Sequence, residues 1–81
     1  MRLLEAQGYT AMRMAGSHGV FDVIAFSPRD IKAIQVKTGS PATISPTEIE
    51  AIRELVVPDN VAKQVWLWDK RAHMPRVKEY R

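Results

Sequence analysis

Apolar and polar residues alternate from Tyr9 to Met14. Tyr9, Ala11 and Arg13 fall on one side and Thr10, Met12 and Met14 on the other, the period-two pattern of a strand. Ahead of it, Met1 to Gln7 reads as the end of a helix that turns Leu3 and Leu4 inward and stops at Gly8. After the loop Ala15-Gly16-Ser17-His18-Gly19, a second strand covers Phe21-Asp22-Val23-Ile24-Ala25-Phe26, and a third runs from Ile31 to Thr38. Gly39-Ser40-Pro41 breaks the sheet, and Ile44-Ser45-Pro46-Thr47-Glu48-Ile49 starts a second helix. Ser45 is its cap, Pro46 its first residue, Glu48 completes a capping box, and Ile44 and Ile49 form a staple. Ile49, Ile52 and Leu55 or Val56 make that helix's buried stripe, and Pro58 closes it. Lys63 to Trp68 is a fourth strand, and Arg76 to Tyr80 a short fifth one after the Met74-Pro75 turn. Helix, three strands, helix, two strands predicts an α+β or α/β sandwich around a mixed sheet.

Two positions break the apolar pattern in an informative way. Asp22 stands among Phe21, Val23 and Ile24, and Gln35 and Lys37 flank Val36. Burying an ionised carboxylate in such company costs several kcal/mol unless it meets a cation or a metal. A hairpin centred between Pro28 and Arg29 places Asp22 opposite Gln35, with Lys37 on the same face. Carboxylate, amide oxygen and ammonium then converge as metal-assisted phosphodiester hydrolysis requires. Asp22 would anchor Mg²⁺ or Mn²⁺, with Gln35 and the backbone carbonyl of Val36 adding oxygen ligands. Lys37 would orient or deprotonate the attacking water and balance charge on the phosphate. The plainer alternative is a buried Asp22 to Lys37 ion pair with no chemical task.

Length limits the architecture. At 81 residues the chain reads as one small domain, residues 1–81, whose core would gain from a dimer interface. The net charge of +3 and pI of about 9.6 suit an anionic partner. The excess gathers at the C-terminal end, where Lys63, Lys70, Arg71, Arg76, Lys78 and Arg81 face only Asp69 and Glu79. Lys70 and Arg71 are the candidates there for nucleic-acid contacts, against the reading of a solvated face. The absence of cysteine excludes disulfides, thiolate zinc sites and cysteine nucleophiles, and suits a reducing interior. No apolar run approaches the roughly 18 residues of a membrane span. With no signal-peptide core at the N-terminus, a cytoplasmic chain without membrane partners is expected.

Gly16-Ser17-His18-Gly19 supplies backbone donors just before Asp22 and would hold a phosphate, or else merely join two strands. Within it, His18 is the candidate phosphate contact or proton carrier. His73 reads as a surface residue. Trp66 and Trp68 share one strand face, with Val65 and Leu67 on the other. Their indoles suit core beneath the second helix better than base stacking, and a dimer seam is a third use.

Arg13 to Ala25 and Ile34-Gln35-Val36-Lys37-Thr38 together resemble the archaeal-type Holliday-junction resolvases, a branch of the PD-(D/E)xK nuclease superfamily. The resemblance covers residues 3 to 38. It implies a restriction-endonuclease-like αβββαβ core with a mixed central sheet and a truncated first helix. It also implies a homodimeric, Mg²⁺-dependent endonuclease, with Mn²⁺ able to substitute, that cuts branched DNA such as four-way junctions. Such a protein would be nucleoid-associated, or virus-encoded and acting in the host cytoplasm. On that pattern Asp22 is the shared metal ligand, Gln35 stands where a second acidic ligand is usual, and Lys37 is the catalytic lysine. Ser17 matches a serine that approaches the scissile phosphate, Gly19 belongs to the same loop, and Arg13 matches an arginine with a DNA or structural role.

The chain departs from the family twice. Gln35 offers oxygen without charge, and the family's first-helix glutamate lies well before the glycine that matches Gly8, with Glu5 at a non-catalytic position. The alternative function is therefore a non-catalytic DNA-binding module of the same fold, or a nuclease subunit whose missing acid comes from a partner or an N-terminal segment.

Overall fold

The computed structural model describes residues 2–14 and 20–80. A short helix α1 (Arg2–Ala6) leads into strands β1 (Thr10–Arg13), β2 (Val23–Phe26) and β3 (Ile31–Gly39). Helix α2 (Pro46–Glu54) then precedes strands β4 (Val61–Asp69) and β5 (Arg76–Tyr80). The sheet keeps chain order, β1-β2-β3-β4-β5. Every pairing is antiparallel except β3 with β4, which run parallel because α2 carries the chain back between them. The mixed α+β sandwich expected from the pattern is thus the observed architecture.

The β2–β3 hairpin turns where expected and pairs Val23 with Ile34, Ile24 with Ala33 and Phe26 with Ile31. Its turn is fixed by side chains. Ser27 Oγ accepts the N–H groups of Arg29 and Asp30 at 3.1 and 3.2 Å, and the Tyr9 hydroxyl donates to Asp30 Oδ1 at 2.6 Å. That bond, chiefly, holds the Asp30 carboxyl below its ordinary pKa and raises the Tyr9 phenol above its own.

Strand alternation sends residues to two separate cores. On the α2 side, Phe21, Ala33, Val65 and Leu67 pack with Ala42 and Ile52. On the α1 side, Leu4 covers Val23, Ala25, Ile34 and Trp66, with Val36 and Trp68 at the margin. The tryptophans therefore do not lie under α2, as the sequence led us to expect. Valine and leucine, the smaller residues of β4, take the α2 side, and the indoles fill the face that the five-residue α1 only partly roofs. Trp66 Nε1 donates to Gln64 Oε1 at 2.9 Å and Trp68 Nε1 to the Ala72 carbonyl at 3.0 Å, so neither indole wastes its donor.

Helix α2 begins as its sequence specifies. Ser45 Oγ accepts the Glu48 N–H, the Glu48 side chain returns to the Ser45 backbone, and proline opens the first turn. Ile52 is fully buried, but the helix ends at Glu54, so Leu55 is 41% exposed and Val56 93%. The stripe is shorter than expected because Lys63 terminates it. The Lys63 ammonium, in a residue only 5% exposed, donates to the carbonyls of Ile52, Arg53 and Leu55 at 2.8, 3.2 and 2.9 Å. It satisfies carbonyls that a helix end leaves without partners and places positive charge at the negative end of the dipole. Lys63 is thus not part of a basic surface, and β4 begins before it, at Val61. No described helix is long and apolar enough to cross a membrane.

Candidate active site

The parallel pair sets one end of the sheet apart. The C-terminal ends of β3 and β4, the start of β2, the end of β1 and the first turn of α2 all meet there. Open sheets with parallel strands place ligands beyond the carboxyl ends of those strands. Each candidate residue that the structure describes falls at this end.

Asp22 lies just ahead of β2 and is exposed, which corrects the expectation of a buried carboxylate within the strand. Regular pairing stops at Val23 with Ile34. The Asp22 N–H donates to the Ile34 carbonyl at 2.9 Å, its carbonyl accepts the Met14 N–H at 2.9 Å, and its Oδ2 accepts the Val36 N–H at 2.9 Å. The carboxylate has taken the place that a partner strand's carbonyl would occupy. Asp22 therefore sits beside Ile34 and Val36 at the edge of β3 and does not pair squarely with Gln35. In an extended strand the N–H and C=O of one residue leave on the same side, so the Val36 carbonyl faces that edge too.

Gln35 and Lys37 project toward α2 and meet a residue that the sequence presented only as a cap. Glu48 Oε2 accepts the Gln35 amide N–H at 3.1 Å and forms an ion pair with the Lys37 ammonium. Its Oε1 accepts the Ser45 hydroxyl at 3.1 Å. The Lys37 hydrogen bond, before the backbone and hydroxyl of Ser45, holds the Glu48 carboxyl below its ordinary pKa, against the opposing effect of burial. Lys37 thus pairs with Glu48, and the alternative of a buried Asp22 to Lys37 pair is set aside. The signal for Glu48 was hidden in plain view. Its spacing from Ser45 announced a capping box, whereas its meeting with Gln35 depends on where the crossover lays α2 across the sheet.

Among the described residues, Gln35 Oε1 is a buried side-chain atom that accepts no hydrogen bond. A buried amide oxygen left this way costs about 1–3 kcal/mol. It belongs to the amide whose nitrogen reaches Glu48, and the N–H of the next residue, Val36, holds the Asp22 carboxylate. Hard oxygen donors of this kind suit Mg²⁺ or Mn²⁺. Among the described residues, no group of three or more His, Cys, Asp or Glu side chains is placed to hold a metal, so any such set must mix carboxylate, amide and backbone oxygens.

The remaining candidates divide. Lys70 and Arg71 are exposed in the β4–β5 turn, at the same end of the sheet as Lys37. The Lys70 N–H donates to the Gly39 carbonyl at 2.8 Å, and Arg71 takes a left-handed φ of 69°. Arg13 is exposed at the end of β1, where its pairing with Val23 turns it to the α1 side. Ser17, His18 and Gly19 lie outside the described residues. Arg76 is committed elsewhere. It grips Asp69 through two bonds at 2.9 and 3.0 Å and donates to the Ala42 carbonyl at 2.8 Å, tying the β4–β5 hairpin to the segment before α2.

No known family model matches the chain, and no curated protein matches it by sequence. Among solved structures it is similar to Hjc, a Holliday junction resolvase from the archaeal hyperthermophile Archaeoglobus fulgidus, with a TM-score of 0.73 and 27% identity. The match covers 96% of this chain and 69% of that one. It extends well past the segment that carries the sequence resemblance, through α2, β4 and β5. The mixed five-stranded sheet and its two helices are those of a restriction-endonuclease-like sandwich with an Hjc-like resolvase fold.

Proposed function

We propose that the chain is a metal-dependent, structure-selective DNA endonuclease that hydrolyses phosphodiester bonds in branched DNA such as four-way junctions, acting as a homodimer. The observation that carries this reading is the likeness to a Holliday junction resolvase over almost the whole chain. The donor set supports it in kind. Mg²⁺, or Mn²⁺ in its place, would be held by Asp22, Gln35 Oε1 and the Val36 carbonyl. Such an ion polarises a phosphoryl oxygen and lowers the pKa of bound water. The protein's own groups do the rest. The Val36 N–H fixes the direction of the Asp22 carboxylate, and the Lys37 ammonium offsets charge that develops on the phosphate. Lys70, Arg71 and Arg13, all exposed near that end, would contact the DNA backbone, and Ser17, His18 and Gly19 are the further candidates for DNA contact.

A second reading is favoured by the small number of acids in the site: a module of the same fold that holds DNA without cutting it, or that cuts once a partner supplies an acid. Cleavage of a labelled four-way junction and a matched linear duplex, with Mg²⁺, Mn²⁺ or EDTA, separates the two. Metal-dependent cutting of the junction is the expected result. Binding with no cutting under either metal would replace the endonuclease by the binding module.

A further inference from the structure

We propose that Glu48, on the first turn of α2, supplies the second carboxylate of the divalent-cation site, delivering from the helix the negative charge that Gln35 does not bring from β3. The proposal rests on the endonuclease reading above. Three observations support it. Glu48 is the acid that both Gln35 and Lys37 touch. Gln35 donates to Glu48 through its amide nitrogen and leaves Oε1 buried with no partner, an arrangement that costs stability unless the amide has a further use. Finally, Glu48 is held from behind by Ser45, so its position is set by the helix start before any ligand arrives.

Charge makes the same case. Asp22 alone would give a divalent ion one anionic ligand, and Glu48 brings the protein's contribution to two. A carboxylate oxygen has about two lone pairs, and Glu48 Oε2 uses them on Gln35 and Lys37. Coordination therefore exchanges one of these bonds for the ion. Gln35 can release Glu48 by turning its amide over, which also moves Oε1 from its unpartnered position toward the carboxylate. Two acceptors side by side repel, and a cation between them removes the repulsion.

The test is Mn²⁺ binding to the full chain, followed by electron paramagnetic resonance, for the parent and for Glu48→Gln, Asp22→Asn and Glu50→Gln. Glutamine also serves at the third position of a capping box, so Glu48→Gln keeps the helix start. Glu50, an exposed acid of the same helix, controls for net charge. Glu48→Gln is expected to weaken Mn²⁺ binding by about tenfold or more, as Asp22→Asn does, while Glu50→Gln changes it little. Adding Gln35→Glu to Glu48→Gln is expected to recover most of the loss, because the charge returns from the strand. Parent-like binding by Glu48→Gln, or an equal loss in Glu50→Gln, would overturn the proposal. A parent that binds no better than Asp22→Asn would remove the metal reading itself, and this proposal with it.

Discussion

The Asp22 carboxylate accepts the backbone N–H of Val36 at 2.9 Å, so a side chain completes the edge of β3 where β2 stops pairing. One residue both ends a strand ladder and has its carboxylate held by the next strand. Asp22→Asn keeps an oxygen acceptor for that N–H and removes only the charge. On the proposed function, cleavage is abolished, affinity for junction DNA is nearly retained, and stability falls by less than about 1 kcal/mol, since the site is open to water. Cleavage assays with binding titrations and melting curves check this together. Undiminished cutting by Asp22→Asn would remove Asp22 from the mechanism.

Much of this arrangement was legible in the sequence. The sequence placed all five strands, the first by its period-two alternation, and Ser45, Pro46 and Glu48 announced the start of α2 to the residue, because capping chemistry is local. The turn at Pro28-Arg29 fixed the β2–β3 register for the same reason. Long-range outcomes were less accessible. Nothing local told which face of β4 lies under α2, so Trp66 and Trp68 were placed on the wrong side. Asp22 looked buried because its neighbours are apolar, yet it falls one residue before the ladder, where the strand opens to water. Glu48 carried two roles, and only the local one is written in sequence spacing.

Lys63 links β4 to the end of α2 through three carbonyls, and its burial makes the link costly to lose. Lys63→Met keeps the aliphatic stem and strands those acceptors. The expected destabilisation is roughly 2–4 kcal/mol, read as a lowered melting temperature. Hydrogen exchange should quicken at Ile52 to Leu55 before it does in β3. A variant that melts with the parent would show that water replaces the ammonium without loss.

Asp69 predicts how the fold responds to acid. Its carboxyl is held below the ordinary value of 3.8, first by the Arg76 hydrogen bonds and then by the Ala42 N–H. A carboxyl with a lowered folded-state pKa contributes stability that is fully present above its unfolded value and is lost as pH falls through the folded one. The melting difference between the parent and Asp69→Asn should therefore be constant near neutrality and narrow as pH drops below 3.8. A difference that persists undiminished into strong acid would assign the effect to packing and hydrogen bonding at Ala42 instead of to ionisation.

On the proposed function, Lys70 and Arg71 are the candidates that would set the path of DNA on this fold. Both are exposed beyond the carboxyl end of β4, next to the strand that carries Lys37, whereas Lys63 and Arg76 are already occupied within the protein. If they reach phosphates, replacing both by alanine weakens binding to every DNA sequence alike. It also flattens the dependence of log affinity on log salt by about 1 for each phosphate no longer neutralised. Because neither side chain holds the sheet together, the melting temperature should stay with the parent's, which distinguishes a weakened DNA surface from a damaged fold. An unchanged salt slope would move the DNA path to the β1 side, where Arg13 stands exposed at the same end of the sheet.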